Sequence, residues 1–138
     1  MSSFRFDDYK IDFINFNLNK EFKDENEMEV DFELRVGVNI SDDSKQAEVN
    51  LELDVYSNDL EEAPFKLTVS ITGWFSTDDD IEEDKYIQFC KVNATAILFP
   101  YLRSAVTDIT KIAGVQPLVL PLVNVYNLIK NDEENKPV

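Results

Sequence analysis

Two kinds of periodicity divide the chain. Between residues 4 and 75, apolar and polar residues alternate in four separate stretches, which is typical of β-strands with one face in water. From about residue 85 to residue 112, apolar residues recur every third or fourth position, which is typical of an amphipathic helix. The pattern therefore predicts a run of four strands followed by a long helix.

The alternation is most regular in the second predicted strand and changes phase once in the first. In the second, even-numbered residues from Met28 to Ile40 are apolar, and the residues between them are polar apart from Gly37. In the first, the alternation changes phase at Phe13 and Ile14, which predicts a β-bulge or a strong bend there. The four predicted strands cover residues 4–18, 28–40, 47–55 and 65–75.

Residues 97–112, ILFPYLRSAVTDITKI, form the clearest part of the helical pattern. Pro100 lacks an amide hydrogen and restricts the preceding residue, so it predicts a kink or a fresh helix start. Gly114, with Pro117 behind it, predicts the end of the helix. The predicted core stripe consists of Leu98, Tyr101, Leu102, Ala105, Val106, Ile109 and Ile112.

An extended segment over residues 116–120 and a short apolar helix over residues 121–130 complete the prediction. Strands followed by helices indicate the α+β class, with the helices on one face of an antiparallel sheet. The length of 138 residues fits a single domain covering residues 1–138. Residues 1–3 and 131–138 are expected to be frayed.

Composition narrows the classes of partner. The chain has 28 acidic and 13 basic residues, a net charge of −15, which opposes binding to nucleic acid or anionic lipid. Cys90 is the one cysteine, the first ten residues lack an apolar signal segment, and no run is long enough to span a membrane. These features predict a cytoplasmic protein.

The side chains offer little for catalysis. There is no histidine, and the three glycines form no phosphate-binding loop, so we predict no enzyme activity, no metal and no cofactor. The acidic run at residues 78–84 is interpreted as a solvated loop rather than a cation site, and Cys90 as a buried, inert thiol rather than a redox sensor. Arg103 is interpreted as the partner of a sheet carboxylate, with a carboxylate of a bound partner as the alternative.

The C-terminal part of the chain resembles the SecB export chaperones. The similarity consists of Phe99, Pro100, Tyr101 and Arg103, a glycine and a proline behind the helix, alternating leucines, and a Val-Asn pair that ends at Asn124. The order of four strands, long helix and short helix also agrees with that family over nearly the whole chain.

The resemblance implies an ATP-independent chaperone that holds unfolded polypeptides and assembles as a dimer of dimers. Its clients would bind in grooves lined by the second strand, the crossover between the first two strands, and the last helix. Phe22 is added to the predicted client-binding residues because it is a lone aromatic in the charged crossover. The complete set is Phe22, Val30, Phe32, Leu34, Val125, Leu128 and Ile129.

Three departures from the family pattern bear on partners. The resemblance implies docking to the translocase motor ATPase through carboxylates on the first and last strands. Asn15 and Thr68 stand at those positions here, and Asn26 stands about where the family has a crossover tryptophan. The departures weaken the expectation of motor docking. Some members of the family instead serve single antitoxins, so clients are either export precursors or an antitoxin.

Two hypotheses from other classes stay open at this point. A sheet wrapped by a long helix could enclose a pocket for a small apolar molecule. Alternatively, the apolar stripe could serve only to join subunits, with no client bound.

Overall fold

The computed structural model describes residues 4–22, 30–56 and 63–121. Within them, four strands are followed by one long helix, as the alternation and the helical period predict. The elements are β1 (Arg5–Leu18), β2 (Phe32–Ile40), β3 (Gln46–Val55), β4 (Phe65–Ser76) and α1 (Glu83–Ala113). The predicted second helix lies outside the described residues except for Pro121, and the predicted frayed ends lie outside them entirely.

The strands form one antiparallel sheet in the order β1-β4-β3-β2. The two central strands are β4 and β3, and the edges are β1 and β2. β2 begins at Phe32, four residues later than the predicted start, and residues 28 and 29 lie outside the described part of the chain.

The core lies between α1 and one face of the central strands. Alternation brings every second residue of β3 and β4 to this face, where the side chains are almost completely buried. The other face carries the polar half of the alternation and is exposed or half-buried, apart from Ser70 and Thr72 of β4, which are buried. The buried apolar residues of the two strands are Ala47, Val49, Leu51, Leu53, Val55, Phe65, Leu67, Val69, Ile71 and Phe75.

The predicted core stripe of the helix is partly wrong. Leu98, Leu102 and Val106 are fully buried, but Tyr101 is 41% and Ile112 85% exposed. Seven of the nine buried residues instead follow every fourth position from Tyr86 to Thr110 (86, 90, 94, 98, 102, 106, 110), and the other two are Thr95 and Phe99 beside this row. With 3.6 residues per turn, such a row winds around the helix by about 40° per step. The predicted stripe has a mixed spacing of three and four residues and therefore diverges from this buried row, most clearly at Ile112.

The ends and the middle of α1 test two further predictions. The helix is continuous across Pro100, so the predicted alternative of a fresh start is wrong. Gly114 adopts the left-handed conformation (φ 84°) and its N–H bonds to the carbonyl of Lys111. The predicted helix end is therefore confirmed.

β1 contains two bulges, of which the sequence predicted one. The register with β4 shifts between Phe6 and Asp8 and again between Ile11 and Phe13. The second shift lies about one residue before the predicted phase change. Consequently Phe13 lies opposite Ser70 on the outer face of the sheet, whereas Ile14 lies on the helix side.

Candidate functional site

A groove of about 740 Å³ lies where β1 ends, β3 ends and the helix has just ended. One wall comes from the end of β1 and the residues around the crossover, the other from the segment behind α1. The lining residues are Leu18, Asn19, Lys20, Phe22, Val30, Tyr56, Pro64, Phe65, Gly114, Val115, Gln116, Pro117 and Leu118.

Tyr56 occupies a special position in the first wall. Its φ is +56°, a left-handed conformation that bulky residues rarely adopt. The conformation is held by the hydrogen bond from its N–H to the carbonyl of Asp31 (2.7 Å) and by the edge-to-face contact of its ring with Phe65. Tyr56 as a whole is 7% exposed, and burial raises the pKa of the phenol. Backbone strain of this kind concentrates at functional sites.

Helix side chains hold the opposite wall in place. Arg103 Nε donates to the carbonyl of Leu120 (2.6 Å), and Thr107 Oγ1 donates to the carbonyl of Leu118 (2.8 Å). Thr110 Oγ1 accepts the N–H of Leu118 (2.9 Å). Because residues 103, 107 and 110 lie on one face of a helix, they bond an extended segment that runs alongside it. The predicted pairing of Arg103 with a sheet carboxylate is therefore wrong.

The groove combines apolar side chains with polar groups and is partly open to water. Leu18 is 49% and Val30 37% exposed, although both are large apolar side chains. Lys20 is the one charged side chain among the described lining residues. In a chain with a net charge of −15, the groove is thus a largely uncharged surface.

The structure brings two of the predicted client-binding residues together and separates two others. Phe22 and Val30 lie in the lining, on either side of the crossover. Phe32 and Leu34 lie on β2 and pack half-buried against the core, outside the lining. Val125, Leu128 and Ile129, together with Asn124 and Asn26, lie outside the described residues.

The family-motif residues of α1 have structural contacts. Phe99 is buried in the core, and Pro100 lies on the exposed side of the helix. The ring of Tyr101 packs against Tyr9 (centroids 4.4 Å apart) and Phe6 of β1, which joins the helix to the edge strand. Together with Arg103, the motif thus fixes both β1 and the groove wall.

Sequence reasoning missed several residues that shape the groove. Leu18 and Phe65 were assigned only to strands, and Tyr56, Thr107 and Thr110 were not singled out. The alternation at Leu18 and Phe65 indicates a buried face of the sheet, but it does not indicate that a groove forms where this face ends. Thr110 is a polar residue at the end of the buried row of the helix, and that polar position was the available signal.

The other candidate chemical groups are accounted for by local contacts. Asp78 pairs with Arg5 (2.9 Å) and Asp80 with Lys45 (2.6 Å), which fits the interpretation of the acidic run as a loop. In the described ranges, no cluster of three potential metal ligands is found. Cys90 is fully buried, which confirms that part of the interpretation, and burial raises the pKa of its thiol to about 11, as expected for an unreactive thiol.

Comparison with known proteins places this geometry in a family. The family model of SecB, described as preprotein translocase subunit SecB, matches residues 9–136. The chain belongs to the SecB family. A protein-export protein SecB of Orientia tsutsugamushi is 25% identical over 84% of this chain and 72% of its own length. An uncharacterized protein of Methanocaldococcus jannaschii is 33% identical over 96% of this chain and 86% of its own length.

A solved structure agrees with the fold. The SecB-like chaperone of Mycobacterium tuberculosis, in complex with a peptide from the HigA1 antitoxin, superposes with a TM-score of 0.71 at 16% identity. The match covers 88% of this chain and 91% of that one. Through its family and its protein-export relatives, this SecB family member is a chaperone of the protein-export type. Among the described helices of this SecB chain, none is long and apolar enough to span a membrane.

Proposed function

We propose that this chain is an ATP-independent holdase of the cytoplasm, which binds extended apolar segments of unfolded polypeptides in the groove. The observation that carries the proposal is the open groove, in which the large apolar side chains of Leu18 and Val30 remain half-exposed beside Phe22 and Tyr56. Large apolar side chains left in water at a concave surface favour a ligand that covers them.

The groove suits ligands of varied sequence. Burial of apolar surface contributes about 25 cal/mol per Å² and needs contact rather than a particular geometry. Nearly all charged residues lie outside the lining, so acidic clients are disfavoured by the overall charge of −15 and not by a specific contact. No nucleotide is required by such binding.

The direct test is suppression of aggregation. The purified chain is mixed with a chemically denatured substrate protein, without nucleotide, and light scattering is followed during dilution. We expect scattering to fall as the chaperone approaches a stoichiometric amount. An unchanged scattering curve, together with no binding of a fluorescent unfolded chain, would contradict the proposal.

A matched pair of variants locates the binding surface. Val30→Glu places a charge in the lining, whereas Phe13→Glu places one on the outer face of β1 at similar exposure (37% and 51%). Because the charge would be buried in the complex, Val30→Glu should weaken binding of the unfolded chain about tenfold or more. Phe13→Glu should leave the affinity within about twofold, and both variants should remain folded by circular dichroism.

Export precursors are the leading client class, and an antitoxin is the alternative. The alternative is supported by the antitoxin peptide bound to the structurally similar chaperone of Mycobacterium tuberculosis. Competition separates the two: a holdase for precursors binds a segment and its scrambled version alike, whereas a dedicated chaperone prefers one sequence. Comparable affinities for both peptides would reject the antitoxin reading.

Docking to the motor ATPase would need a surface other than the one expected from the family. Asn15 and Thr68 pair directly across β1 and β4 on the outer face, but neither carries a charge. The proposal therefore includes motor docking only at other outer-face carboxylates. Pull-down with the motor ATPase at low and high salt tests this part separately from client binding.

We also propose a homo-oligomer, a dimer of dimers, joined on the β1 side. This side carries exposed apolar residues of the strand and the neighbouring helix, including Ile14 (53%) and Tyr101 (41%). A second copy would cover them and would leave the groove beyond Leu18 free. Sedimentation equilibrium measures the state of the wild-type chain.

A further inference from the structure

A second cavity, of about 470 Å³, lies on the outer face of the sheet at the end where β4 finishes. The strand register forms a row across the sheet at this end, in the order Asp8, Trp74, Glu48 and Asn39. The polar and aromatic residues of the cavity lining include Asp7, Asn39, Gln46, Glu48 and Trp74. The volume is in the range of sites that bind small molecules.

This cavity is remote from the groove proposed for clients. Phe65, in the groove lining, and Trp74 are at opposite ends of β4, which corresponds to about 30 Å of strand. Thr68, at the position where the family resemblance implies motor docking, is about 20 Å from Trp74 along the same strand. A ligand in the cavity would therefore leave both of these surfaces free.

Trp74 provides the aromatic surface of the cavity. It is the chain's one tryptophan and is half-buried. Among the described residues, its indole stacks on no other ring and makes no hydrogen bond. The face of an indole attracts cations more strongly than the ring of tyrosine or phenylalanine.

Two carboxylate residues of the lining flank Trp74. Asp7 lies at a bulge of β1 and Glu48 lies on β3, the strands on either side of β4. Neighbouring strands are about 4.8 Å apart, so the backbones of these two strands are separated by about 10 Å. Within the described part of the chain, neither carboxylate forms a salt bridge or a side-chain hydrogen bond.

Basic residues near this end of the sheet already pair with carboxylates outside the cavity lining. Asp7 and Glu48 therefore keep their negative charge for a ligand. The pairs are Arg5–Asp78 (2.9 Å), Lys45–Asp80 (2.6 Å) and Lys10–Asp8 (3.5 Å).

The arrangement suits an organic cation better than a metal ion. A divalent metal needs oxygen ligands that converge to about 2.0–2.6 Å, and the described ranges hold no cluster of three potential ligands. An elongated cation with a charge at each end matches two separated carboxylates. Its apolar middle would cover the indole, as the stem of a lysine side chain covers apolar surface.

We propose that this cavity binds a small aliphatic diamine, with its ammonium groups at Asp7 and Glu48 and its methylene chain across Trp74. Each ammonium group has three N–H donors, so donors remain for the amide oxygens of Asn39 and Gln46. The inference goes beyond the holdase function and does not depend on it, because the cavity and the client groove share no residue.

The test uses cadaverine, which carries an amine at each end of five methylenes, and pentylamine, which has the same stem and one amine. Because Trp74 is the one tryptophan, its emission reports on this cavity directly. The titration is done at physiological ionic strength, where charges are screened over about 8 Å and distant carboxylates contribute little. We expect cadaverine to shift the emission saturably and to bind at least tenfold more tightly than pentylamine.

Three carboxylate variants separate the cavity from the general negative charge of the chain. Glu48→Gln and Asp7→Asn each remove one ammonium partner while keeping a similar shape. Glu33→Gln changes the net charge equally, but it lies on the outer face about 20 Å from Asn39 along β2. We expect the two lining variants to weaken cadaverine binding at least fivefold each, and Glu33→Gln to weaken it less than twofold.

Calorimetry measures the contribution of the indole, since tryptophan variants lose the fluorescent signal. Trp74→Leu keeps an apolar side chain without a ring and should weaken cadaverine binding at least fivefold. Trp74→Phe keeps an aromatic face and should weaken it less than Trp74→Leu does. Circular dichroism checks that each variant is folded, and the exposed Glu48→Gln still tests the proposal if Trp74→Leu is unfolded.

Several results would overturn the diamine site. Equal affinities for cadaverine and pentylamine, or equal losses in Glu33→Gln and Glu48→Gln, would show attraction to the net charge of −15 alone. Unchanged binding in a folded Trp74→Leu would exclude the indole. A lysine-rich peptide that shifts the emission of Trp74 when cadaverine does not would assign the cavity to a protein partner. Aggregation assays with cadaverine present test the holdase function separately.

Discussion

β1 and β2 are the two edges of one sheet, but their backbones differ. β1 is 14 residues long and its register shifts at Asp7 and Asp12, whereas β2 keeps one register over nine residues. β1 also carries Phe13, Ile14 and Leu18, each about half-exposed, whereas the apolar residues of β2 are packed against the core.

The difference suggests a division of roles between the edges. Bulges twist a strand and interrupt the row of backbone groups that another chain would pair with. β1 therefore offers side chains, which suits a fixed interface with a second copy. β2 keeps an uninterrupted ladder with β3, so its backbone pairing is regular along the whole strand. The variants below test this contrast, from the largest expected effect to the smallest.

Proline at two successive positions of β2 should differ in cost. The bonds from Tyr56 N–H to the carbonyl of Asp31 and from Ser41 N–H to that of Gln46 continue the register of the two strands, so the odd-numbered residues of β2 bond to β3. Arg35→Pro removes a hydrogen bond to β3 and leaves a carbonyl without its donor, so it should lower the free energy of unfolding by about 3 kcal/mol more than Arg35→Ala. Val36→Pro should cost less than about 1 kcal/mol beyond Val36→Ala, because its N–H points outward. Urea denaturation measures all four. Equal losses of unfolding free energy for the two prolines would show that the assignment of the odd-numbered residues to the bonds with β3 is wrong.

Adjacent residues of β1 separate the self-association face from the outer face. Ile14 lies opposite Val69 on the helix side and Phe13 opposite Ser70 on the outer face, at 53% and 51% exposure. A buried charge at an interface is costly, so Ile14→Glu should weaken self-association by roughly thirtyfold or more. Phe13→Glu is the control and should sediment like the wild type. Loss of the oligomer in Phe13→Glu alone would move the interface to the outer face.

The groove between the two edges depends on a hydroxyl of the helix. Thr110→Val keeps the shape of the side chain but leaves the N–H of Leu118 without its acceptor, at a cost of about 1–3 kcal/mol. Thr110→Ser restores the hydroxyl and should recover most of this loss. Client affinity should fall in the same order, since Leu118 lines the groove. An unchanged unfolding free energy in Thr110→Val would exclude this hydrogen bond as a support of the wall.

The attachment of β2 to the central strands should weaken in acid. Partial burial alone would raise the pKa of Asp54, but the Thr68 hydroxyl and the Arg35 guanidinium outweigh it and hold the pKa below its ordinary value. A lowered folded-state pKa contributes stability above the unfolded value of about 3.9, and this contribution is lost as the pH falls further.

Asp54→Asn removes the titrating group while keeping a similar shape. Between pH 5 and pH 3, we expect its free energy of unfolding to fall by less than that of the wild type, by a fraction of about 1 kcal/mol. Thermal melts across this range provide the measurement. Parallel pH curves for wild type and Asp54→Asn would contradict the assignment.

Strand positions were predictable because alternation has a direct physical cause. Each inward residue of β3 and β4 must be apolar, so the buried face could be written down from the sequence. The strand order could not, because alternation does not say which strand lies beside β1. The extra bulge at Asp7 was missed because it changes the face of only a short N-terminal piece of the strand.

The site was less accessible to sequence reasoning than the fold. Phe22 drew attention as a lone aromatic in a charged segment, and it lies in the lining. The role of Arg103 could not be predicted, because its partner is a backbone carbonyl 17 residues away and carbonyls have no sequence signature. Tyr56 was equally hidden, because its left-handed backbone depends on the tertiary bond to Asp31.

The burial of Cys90 has a practical consequence. It is the chain's one cysteine, and a thiol with a pKa of about 11 is hardly ever ionised at neutral pH. A fluorophore that reacts with thiols will thus label a cysteine introduced on β1 or β2, while Cys90 stays unmodified. The slow rate at which Cys90 itself is modified would report how often the helix transiently separates from the sheet.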